Sequence, residues 1–461
     1  MAVVFAIPSL NDGLVSDDYE LIAEGIITSP SDIFEAFTEP GMKGFYRPLP
    51  RLLIGANYAL HGLNGYGYHL INAALHVTMT AILTYLVFST TGIATLSVIC
   101  GVLFASHFAH VEPVYWISAR NELLAAVGYL LALTLALRTE LRFRCAALVA
   151  FLLALLSKET AITLPLTLSV LIFMRFEGEL RQRVTKAITA TYPFIGVLVL
   201  YCVGRFGASA DWPWTSSEVT FGIDPYVILR NLEQYSIQLI LPVRTLMDLV
   251  SSDTYSLATE TVRSTRVTLW PWLLLAAVGL GVTTAMLLRM GGRLSAAGMA
   301  FTILTIMPFL FMEGTAMRYL YLPSAGFSLA LAGLLHRLPG LSGDLQDGKH
   351  FHVWLVRVLV AILLMHIFDQ SRWWERASLL CSTISQSVIE HAKTLPADVP
   401  LYVYGIPRRV HGAYVFHNGF EDAIRLRGKD LSSPVFDGER VREYQLALPP
   451  NARILDMNDR P

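Results

Sequence analysis

Two adjacent aspartates, Asp17 and Asp18, follow the first apolar run of the chain in the stretch LVSDDYELI. Neighbouring carboxylates repel each other and are costly near a membrane, so a solvated loop is the simplest interpretation. The alternative is chemistry, because a carboxylate held beside cations can act as a general base. The other polar residues that the fold brings to this loop decide between the two.

Further candidate residues lie in short corners between apolar segments: Arg47 in FYRPLPR; His107, His110, Glu112 and Arg120 in SHFAHVEPVYWISARNE; Lys158 and Glu159 in SKE; and Arg318. Each has a structural explanation. The histidines can bond to backbone carbonyls, Arg120 can snorkel outward, and Glu159 can neutralise Lys158. The aromatic residues Trp116, Tyr319 and Tyr321 are typical of an interfacial belt.

The composition indicates a membrane protein. Hydrophobic residues make up 54% of the 461 positions and charged residues only 15%, whereas soluble domains carry roughly a quarter charged residues. A net charge of −1 excludes a generally basic surface that would coat nucleic acid. The four cysteines show neither zinc-site nor redox-motif spacing and are interpreted as packing residues.

Several apolar segments are long enough to span a membrane, which takes roughly 17–25 residues. They are 69–89, 91–109, 114–137, 187–205, 269–288, 295–313, 319–337 and 352–368. The segment 145–175 differs because SKE interrupts it. Each half is only about 18–24 Å long as a helix, which is short of a hydrocarbon core of about 30 Å. We therefore predict a helical hairpin with SKE at its tip.

Basic residues predict the orientation. Placing four clusters on the cytoplasmic side satisfies the positive-inside rule: Arg138/Arg142/Arg144, Arg175/Arg181/Arg183/Lys186, Arg289/Arg293 and Arg337/Lys349. The acidic pair, SKE, the two polar corners and the C-terminus then lie outside. The first apolar run, MAVVFAIPSL, is too short to span, so we expect about ten or eleven crossings with the first helix partly missing from this sequence.

The predicted fold is an all-α polytopic membrane domain, residues 1–370, followed by a small extracytoplasmic α/β domain, residues 371–461. The membrane domain carries external loops at 11–66 and 206–267, the first with amphipathic helices at 31–38 and 48–63. In the C-terminal domain we predict a helix at 371–394 and strands in LYVYGIP and AYVFHNG, which end in turn residues.

All the candidate residues fall on one side of the membrane in this topology. Their clustering predicts a polar cavity that opens to the extracytoplasmic face and holds carboxylates together with several cations. Cations in a half-buried cavity beside lipid suit a lipid-linked phosphate, and a carboxylate beside them suits a general base.

The sequence resembles GT-C superfamily glycosyltransferases, especially the protein O-mannosyltransferase-like branch that includes transmembrane proteins with tetratricopeptide repeats. The matching stretches occur in family order over most of residues 10–335: GLVSDDYELI, FYRPLPRLL, HLINAALHVTMTAILTYLVF, LFASHFAHVEPVYWISARNELLA, LLALLSKETAITLPL and MRYLYLPSAGFSLALAGLL. No repeat array follows the last predicted span in this sequence, and HFAH lacks the proline expected after its first histidine.

The resemblance implies a GT-C-like fold, a polyprenyl- or dolichyl-phosphate-linked sugar as donor, and inverting transfer outside the cytoplasm. It makes Asp17 the expected base and Asp18 its supporting carboxylate. The expected phosphate-binding residues are Lys158, Arg120, Arg318 and Arg47, and those expected to shape the cavity or hold the sugar are His107, His110, Glu112 and Glu159. No cofactor or metal is required, although Asp17, Asp18 and Glu112 could hold a divalent cation.

Two other functions compete with this one. A transporter or flippase of lipid-linked glycans would explain the cations but would leave the acidic pair without a role. A non-catalytic membrane scaffold would explain neither SKE nor the one-sided clustering. The partners expected of the enzyme are the lipid bilayer, the lipid-linked donor and an acceptor that is a protein, a lipid or a glycan, with no nucleic acid.

Overall fold

The structure is a computed structural model that describes residues 1–208, 222–240, 270–337, 348–443 and 448–459. Its N-terminal part consists of four short helices: α1 (Ala2–Ala6), α2 (Asp17–Gly25), α3 (Pro30–Thr38) and α4 (Pro48–His61). The amphipathic helices predicted at 31–38 and 48–63 correspond to α3 and α4. A capping box formed by Ser29 and Asp32 begins α3, as expected where a side chain can satisfy a free backbone N–H.

Apolar helices make up most of the remaining chain: α5 (Gly65–Thr91), α6 (Ala94–Ala105), α7 (Val111–Tyr115), α8 (Arg120–Ala136), α9 (Leu141–Leu155), α10 (Leu164–Arg175), α11 (Leu180–Gly207), α12 (Pro225–Ile240), α13 (Trp270–Leu310), α14 (Pro323–Arg337) and α15 (Gly348–Ala392). Each predicted span overlaps one of these helices, and the spans predicted at 269–288 and 295–313 both fall in α13, which breaks at Gly292. Within the predicted external loop 206–267, the structure describes residues 206–208 and 222–240. The second range contains α12.

The protein is a multi-pass α-helical membrane protein. In the described part of the chain, four helices are long and apolar enough to cross a membrane: Gly65–Thr91, Ile117–Ala136, Leu180–Gly207 and Arg289–Leu310. A helix pair bent by 50°, Ala94–Ala105 with Phe108–Tyr115, makes a fifth crossing if it acts as one span. The number of ten or eleven crossings therefore stays a prediction.

The interrupted segment 145–175 forms the predicted hairpin, with α9 and α10 joined through Lys158. At the opposite end, Arg293 forms an ion pair with Glu177, and α13 breaks at Gly292, whose φ is 66°. A side chain at Gly292 would collide with the guanidinium of Arg337. Three basic loops thus meet at one end of the helices, and the hairpin tip lies at the other.

The C-terminal part is a small α/β unit. Its elements are β1 (Leu401–Tyr404), β2 (Arg409–Val410), β3 (Ala413–Tyr414), α16 (Phe420–Arg427), β4 (Val435–Asp437), α17 (Gly438–Glu443) and β5 (Arg453–Asp456). A parallel sheet has the order β4-β1-β5, and β2 and β3 form an antiparallel hairpin. The predicted strands are β1 and β3. Because α15 runs through residue 370, the domain boundary placed there stays a prediction.

Close contact between glycines fixes the helix that carries the acidic pair. A side chain at Gly55 in α4 would collide with the carbonyl of Gly25 in α2, and one at Gly25 would lie 3.0 Å from the carbonyl oxygen of Arg51. Absence of a side chain at both positions allows the two backbones to touch. This packing holds the C-terminal end of α2 against the middle of α4.

Replacing Gly55 by alanine should therefore destabilise the protein. The added methyl group would collide with the backbone carbonyl of Gly25 and would also lie 3.2 Å from the Ile27 side chain, and overpacking of this kind costs about 1–3 kcal/mol. Thermal unfolding in detergent measures the effect. Gly196→Ala is the matched control, because Gly196 in α11 has no neighbouring atom within 4 Å of an added methyl group. Equal melting temperatures for the two variants would contradict the proposed close contact.

Candidate functional site

A cavity of about 160 Å³ lies where α2, α4, the corner before α8, the tip of the α9–α10 hairpin and the segment before α14 meet. Five of the residues predicted from the sequence line it: Asp17, Arg47, Arg120, Lys158 and Arg318. They come from positions up to about 300 residues apart in the sequence. The fold thus brings together one predicted carboxylate and all four predicted phosphate-binding cations.

The two aspartates of the acidic pair have different surroundings. Asp18 is 1% exposed, and one of its carboxylate oxygens accepts hydrogen bonds from the backbone N–H of Ser118 (2.8 Å) and from the Ser118 hydroxyl (2.5 Å). Its other oxygen accepts from the N–H of Val15 (3.0 Å). Asp17 lines the cavity and accepts one bond, from the Ser16 hydroxyl at 3.2 Å. Asp18 therefore ties the loop to the corner before α8, and Asp17 faces the open space.

Lys158 and Glu159 at the hairpin tip pair with residues far away in the sequence. Lys158 forms a buried ion pair with Glu122 in α8, whereas Glu159 accepts two bonds from Arg47, at 2.5 and 3.1 Å. The suggested ion pair between the neighbours Lys158 and Glu159 is wrong, because each side chain extends towards a different helix. Both pairs lock the hairpin tip against the elements around it.

Glu112 and Arg318 form the third ion pair of the site. Glu112 is 2% exposed and also accepts a hydrogen bond from the backbone N–H of Arg318 at 3.3 Å. The hydroxyl of Tyr414, from β3, donates to the same carboxylate at 3.4 Å. Tyr414 is a site residue that sequence reasoning missed, because the C-terminal unit gives no local signal that it packs against this corner.

Arg120 is held by neutral groups. Its guanidinium donates to the side-chain oxygens of Asn72 (2.8 Å) and Asn57 (2.5 Å) and to the carbonyl of Tyr68 (2.8 Å). The side chain is 1% exposed, so the suggestion that it snorkels outward is wrong. The two asparagines were also missed. Polar amides inside apolar helices α4 and α5 were the available signal, since buried amides require partners.

The lining of the cavity is strongly basic. Six of its residues are Lys or Arg (Lys43, Arg47, Arg51, Arg120, Lys158, Arg318), and two are acidic (Asp17, Glu24). The carboxylates of Glu112, Glu122 and Glu159 neutralise cations but are not among the lining residues. Each of these ion pairs therefore presents its cation to the cavity and keeps its carboxylate behind. Such a surface favours an anionic ligand.

The aromatic residues of these corners do not form an interfacial belt. Trp116 and Tyr319 line the cavity, and the Arg318 guanidinium lies 5.1 Å from the first ring and 4.8 Å from the second. Tyr321 is 1% exposed and bonds to His76 at 3.0 Å. The belt interpretation is wrong for Trp116 and Tyr321, because both side chains are buried inside the protein.

The two histidines of the corner lie in packed core. A ring nitrogen of His107 is 3.1 Å from the carbonyl of Leu239, and one of His110 is 2.7 Å from the Ser324 hydroxyl. Neither histidine, nor Glu112 or Glu159, is among the described residues that line the cavity. Cavity shaping and sugar binding by these four residues both stay predictions.

The possible divalent-cation site formed by Asp17, Asp18 and Glu112 finds no support in the geometry. Over the described ranges, no group of three or more His, Cys, Asp or Glu side chains is placed to hold a metal ion. Asp18 is occupied by Ser118 and Val15, and Glu112 by Arg318. The basic lining of the cavity suits an anion rather than a cation.

Comparison with known proteins agrees with the resemblance seen in the sequence. The chain is 34% identical over 178 residues to the protein O-mannosyl-transferase Tmtc1 of Drosophila melanogaster, covering 35% of this chain and 21% of that protein. It is 38% identical over 96 residues to protein O-mannosyl-transferase tmtc2 of Xenopus laevis, covering 21% of this chain and 12% of that protein. The chain thus spans about a fifth or less of the length of these relatives. No protein-family model matches it.

A solved structure shows a distant likeness across nearly the whole chain. It is the crystal structure of ArnT from Cupriavidus metallidurans bound to undecaprenyl phosphate, with 14% sequence identity and a TM-score of 0.45. The alignment covers 99% of this chain and 88% of that chain.

The buried carboxyl of Asp18 should make the stability of the protein depend on pH. Burial raises the pKa of Asp18 from 3.8 to about 7, against the opposing hydrogen bonds from Ser118 and Val15. Between these values the native protein holds a proton that the unfolded chain has released. The stabilisation is present at low pH and is lost as the pH rises through about 7.

Thermal unfolding of the protein and of Asp18→Asn between pH 5 and pH 8 measures this effect. The melting temperature of the unmodified protein should fall relative to that of the variant as the pH rises towards 7, because the free energy of unfolding decreases by up to about 1.4 kcal/mol per pH unit. Parallel curves for the two proteins would contradict the raised pKa.

Proposed function

We propose that this chain is an integral membrane glycosyltransferase that transfers a sugar from a polyprenyl- or dolichyl-phosphate-linked donor to an acceptor hydroxyl on the extracytoplasmic side. The observation that carries the proposal is the cavity, where six basic residues and Asp17 line one space beside the apolar helices. The similarity to protein O-mannosyl-transferases supports the reaction type. The location of the basic loops at the opposite end of the helices supports the sidedness.

The basic lining serves the phosphate of the donor. Lys158, Arg318 and Arg47 each present a cation that a carboxylate supports from behind, and Arg120 adds a charge whose contacts are all neutral oxygens. These groups offset the negative charge that grows on the departing phosphate, which is usually the largest contribution to catalysis of this kind. The bilayer holds the polyprenyl chain.

Asp17 serves as the base. It is a cavity carboxylate that forms no ion pair among the described residues, whereas Glu24, the other acidic residue of the lining, lies 3.6 Å from Arg51. An unpaired carboxylate can take the proton from an acceptor hydroxyl. The oxygen then forms a bond to the anomeric carbon, while the bond from that carbon to the phosphate oxygen breaks. The electron pair leaves with the lipid phosphate, and the anomeric configuration inverts.

A flippase for lipid-linked glycans is the second candidate, and the basic cavity fits it equally well. A flippase has no need for a carboxylate that forms no ion pair with the described residues of a cavity containing several cations, where an ion pair would be favourable. Movement of a lipid-linked glycan in sealed vesicles, without formation of a new glycosidic bond, would favour the flippase.

Asp17→Asn should greatly slow transfer without loss of the protein from the membrane. Asparagine keeps the shape of the side chain but cannot take up the proton, so the rate should fall by roughly 10²–10⁴-fold. The assay follows label from radioactive polyprenyl-phosphate mannose into the acceptor fraction of membranes that contain the protein. Glu177→Gln is the control, because Glu177 is an exposed carboxylate at the basic end of the helices. Full transfer by Asp17→Asn would remove Asp17 from its proposed role.

Lys158→Met should weaken binding of the same donor by about tenfold or more, because a charge-assisted hydrogen bond to phosphate is lost. The single variant leaves Glu122 buried without its partner. The double variant Lys158→Met/Glu122→Gln removes that penalty and isolates the loss of the cation. Arg293→Met changes an exposed cation at the opposite end and serves as the control. Unchanged donor affinity in the double variant would contradict the phosphate-binding role.

A further inference from the structure

Ser16, the residue before the acidic pair, has a backbone conformation that L-amino acids rarely adopt. Its φ is 47° and its ψ is −125°, and it is fully buried. The carbonyl of Val15 accepts from the N–H of Asp18 at 3.0 Å, so Ser16 occupies the turn position that normally favours glycine. A non-glycine residue persists in such a conformation only where its surroundings hold it.

The surroundings that hold Ser16 come from the other end of the chain. Its N–H donates to the carbonyl of Val415 at 2.8 Å, and its hydroxyl accepts from the N–H of Asn418 at 3.2 Å. Gly419 has a φ of 72°, and a side chain there would collide with the Ser16 carbonyl. The segment 415–419 thus fits closely around the Ser16 backbone, and its last position requires glycine.

The Ser16 hydroxyl connects this segment to the proposed base. The backbone N–H of Asn418 donates a hydrogen bond to the hydroxyl oxygen of Ser16. The hydroxyl in turn donates to a carboxylate oxygen of Asp17 at 3.2 Å. Because the amide can only donate, the hydroxyl hydrogen is left to point at Asp17. A chain of two hydrogen bonds therefore runs from the C-terminal unit to the cavity carboxylate.

Two further contacts fix the ends of this arrangement. Arg427 in α16 donates to the hydroxyl of Tyr19 in α2 at 2.7 and 3.2 Å, and Tyr19 is fully buried. The thiol of Cys381 in α15 lies 3.1 Å from the carbonyl oxygen of Val415. The first contact anchors the helix that begins at the acidic pair, and the second anchors the segment that holds Ser16.

We propose that Ser16 is a positioning residue for Asp17, and that segment 415–419 together with Arg427 forms the clamp that keeps it in place. The C-terminal unit then contributes to catalysis without touching the substrates, by holding one carboxylate in one orientation. This inference rests on the proposed role of Asp17 as the base.

The test compares four variants of the full chain in membranes: Ser16→Ala, Ser16→Gly, Arg427→Met and Arg425→Met. Transfer from radioactive polyprenyl-phosphate mannose gives kcat and the KM for the donor. Hydrogen exchange of the peptide that contains residues 13–22 reports on the clamp without any need for activity. Arg425→Met is the matched control, since Arg425 lies in the same helix, is exposed and pairs with Asp422 on the helix itself.

Ser16→Ala, Ser16→Gly and Arg427→Met should each lower kcat by about tenfold or more, because a hydrogen bond that orients a charged group is lost or loosened. The KM for the donor should stay within about twofold, since the phosphate-binding cations are untouched. Ser16→Gly separates the effect of losing the hydroxyl from the effect of backbone strain, because glycine adopts the turn conformation readily and lacks the hydroxyl. Arg427→Met should also speed exchange of the 13–22 peptide, and Arg425→Met should match the unmodified protein in both measurements.

Unchanged kcat in both Ser16 variants, or exchange in Arg427→Met equal to that in Arg425→Met, would overturn the positioning role. If Arg427→Met shows faster exchange but no protein, including the unmodified one, transfers the label, the result counts against the proposed function and not against the clamp. The two failures are therefore distinguishable.

Discussion

Charge compensation in a poorly solvated site is the constraint on which the rest of this structure depends. A cation buried without a partner is costly, so a basic cavity next to a bilayer has to be neutralised from outside the cavity. The protein places Glu159, Glu122 and Glu112 behind Arg47, Lys158 and Arg318. The carboxylates stabilise the cations and leave the cavity surface basic. Replacing any of these carboxylates would leave a buried cation unbalanced.

The helices are arranged so that these pairs can form. Each ion pair joins two separate elements: the hairpin tip with the start of α4 and with α8, and α7 with the segment before α14. Close contacts at small residues bring the elements within reach, as where Gly298 in α13 packs against Gly326 in α14, and Gly25 in α2 against Gly55 in α4. Small residues serve this purpose in membrane proteins because they let backbones approach.

The C-terminal unit takes part in the same site from two directions. Tyr414 contacts Glu112, and its ring lies 4.5 Å from that of Trp116, one of the cavity residues. The neighbouring segment, residues 415–419, surrounds Ser16. Residues about 400 positions apart therefore meet at the acidic loop. A unit that holds the loop in this way links the last part of the chain to the chemistry at its beginning.

The sequence by itself determined the membrane class, the position of most apolar helices and the hairpin at SKE, because hydrophobic runs and their interruptions are local features. It did not predict α12, which lies in the segment expected to be an external loop. It also singled out Asp17 and the four cations that line the cavity, since charged residues are rare in apolar sequence and stand out. Only the tertiary structure decided how these residues are paired. Lys158 is bound to Glu122 rather than to its neighbour, Arg120 to two asparagines, and Ser16 to the C-terminal unit. Packing between distant elements determines these partners, and a single sequence does not show which buried polar groups contact each other.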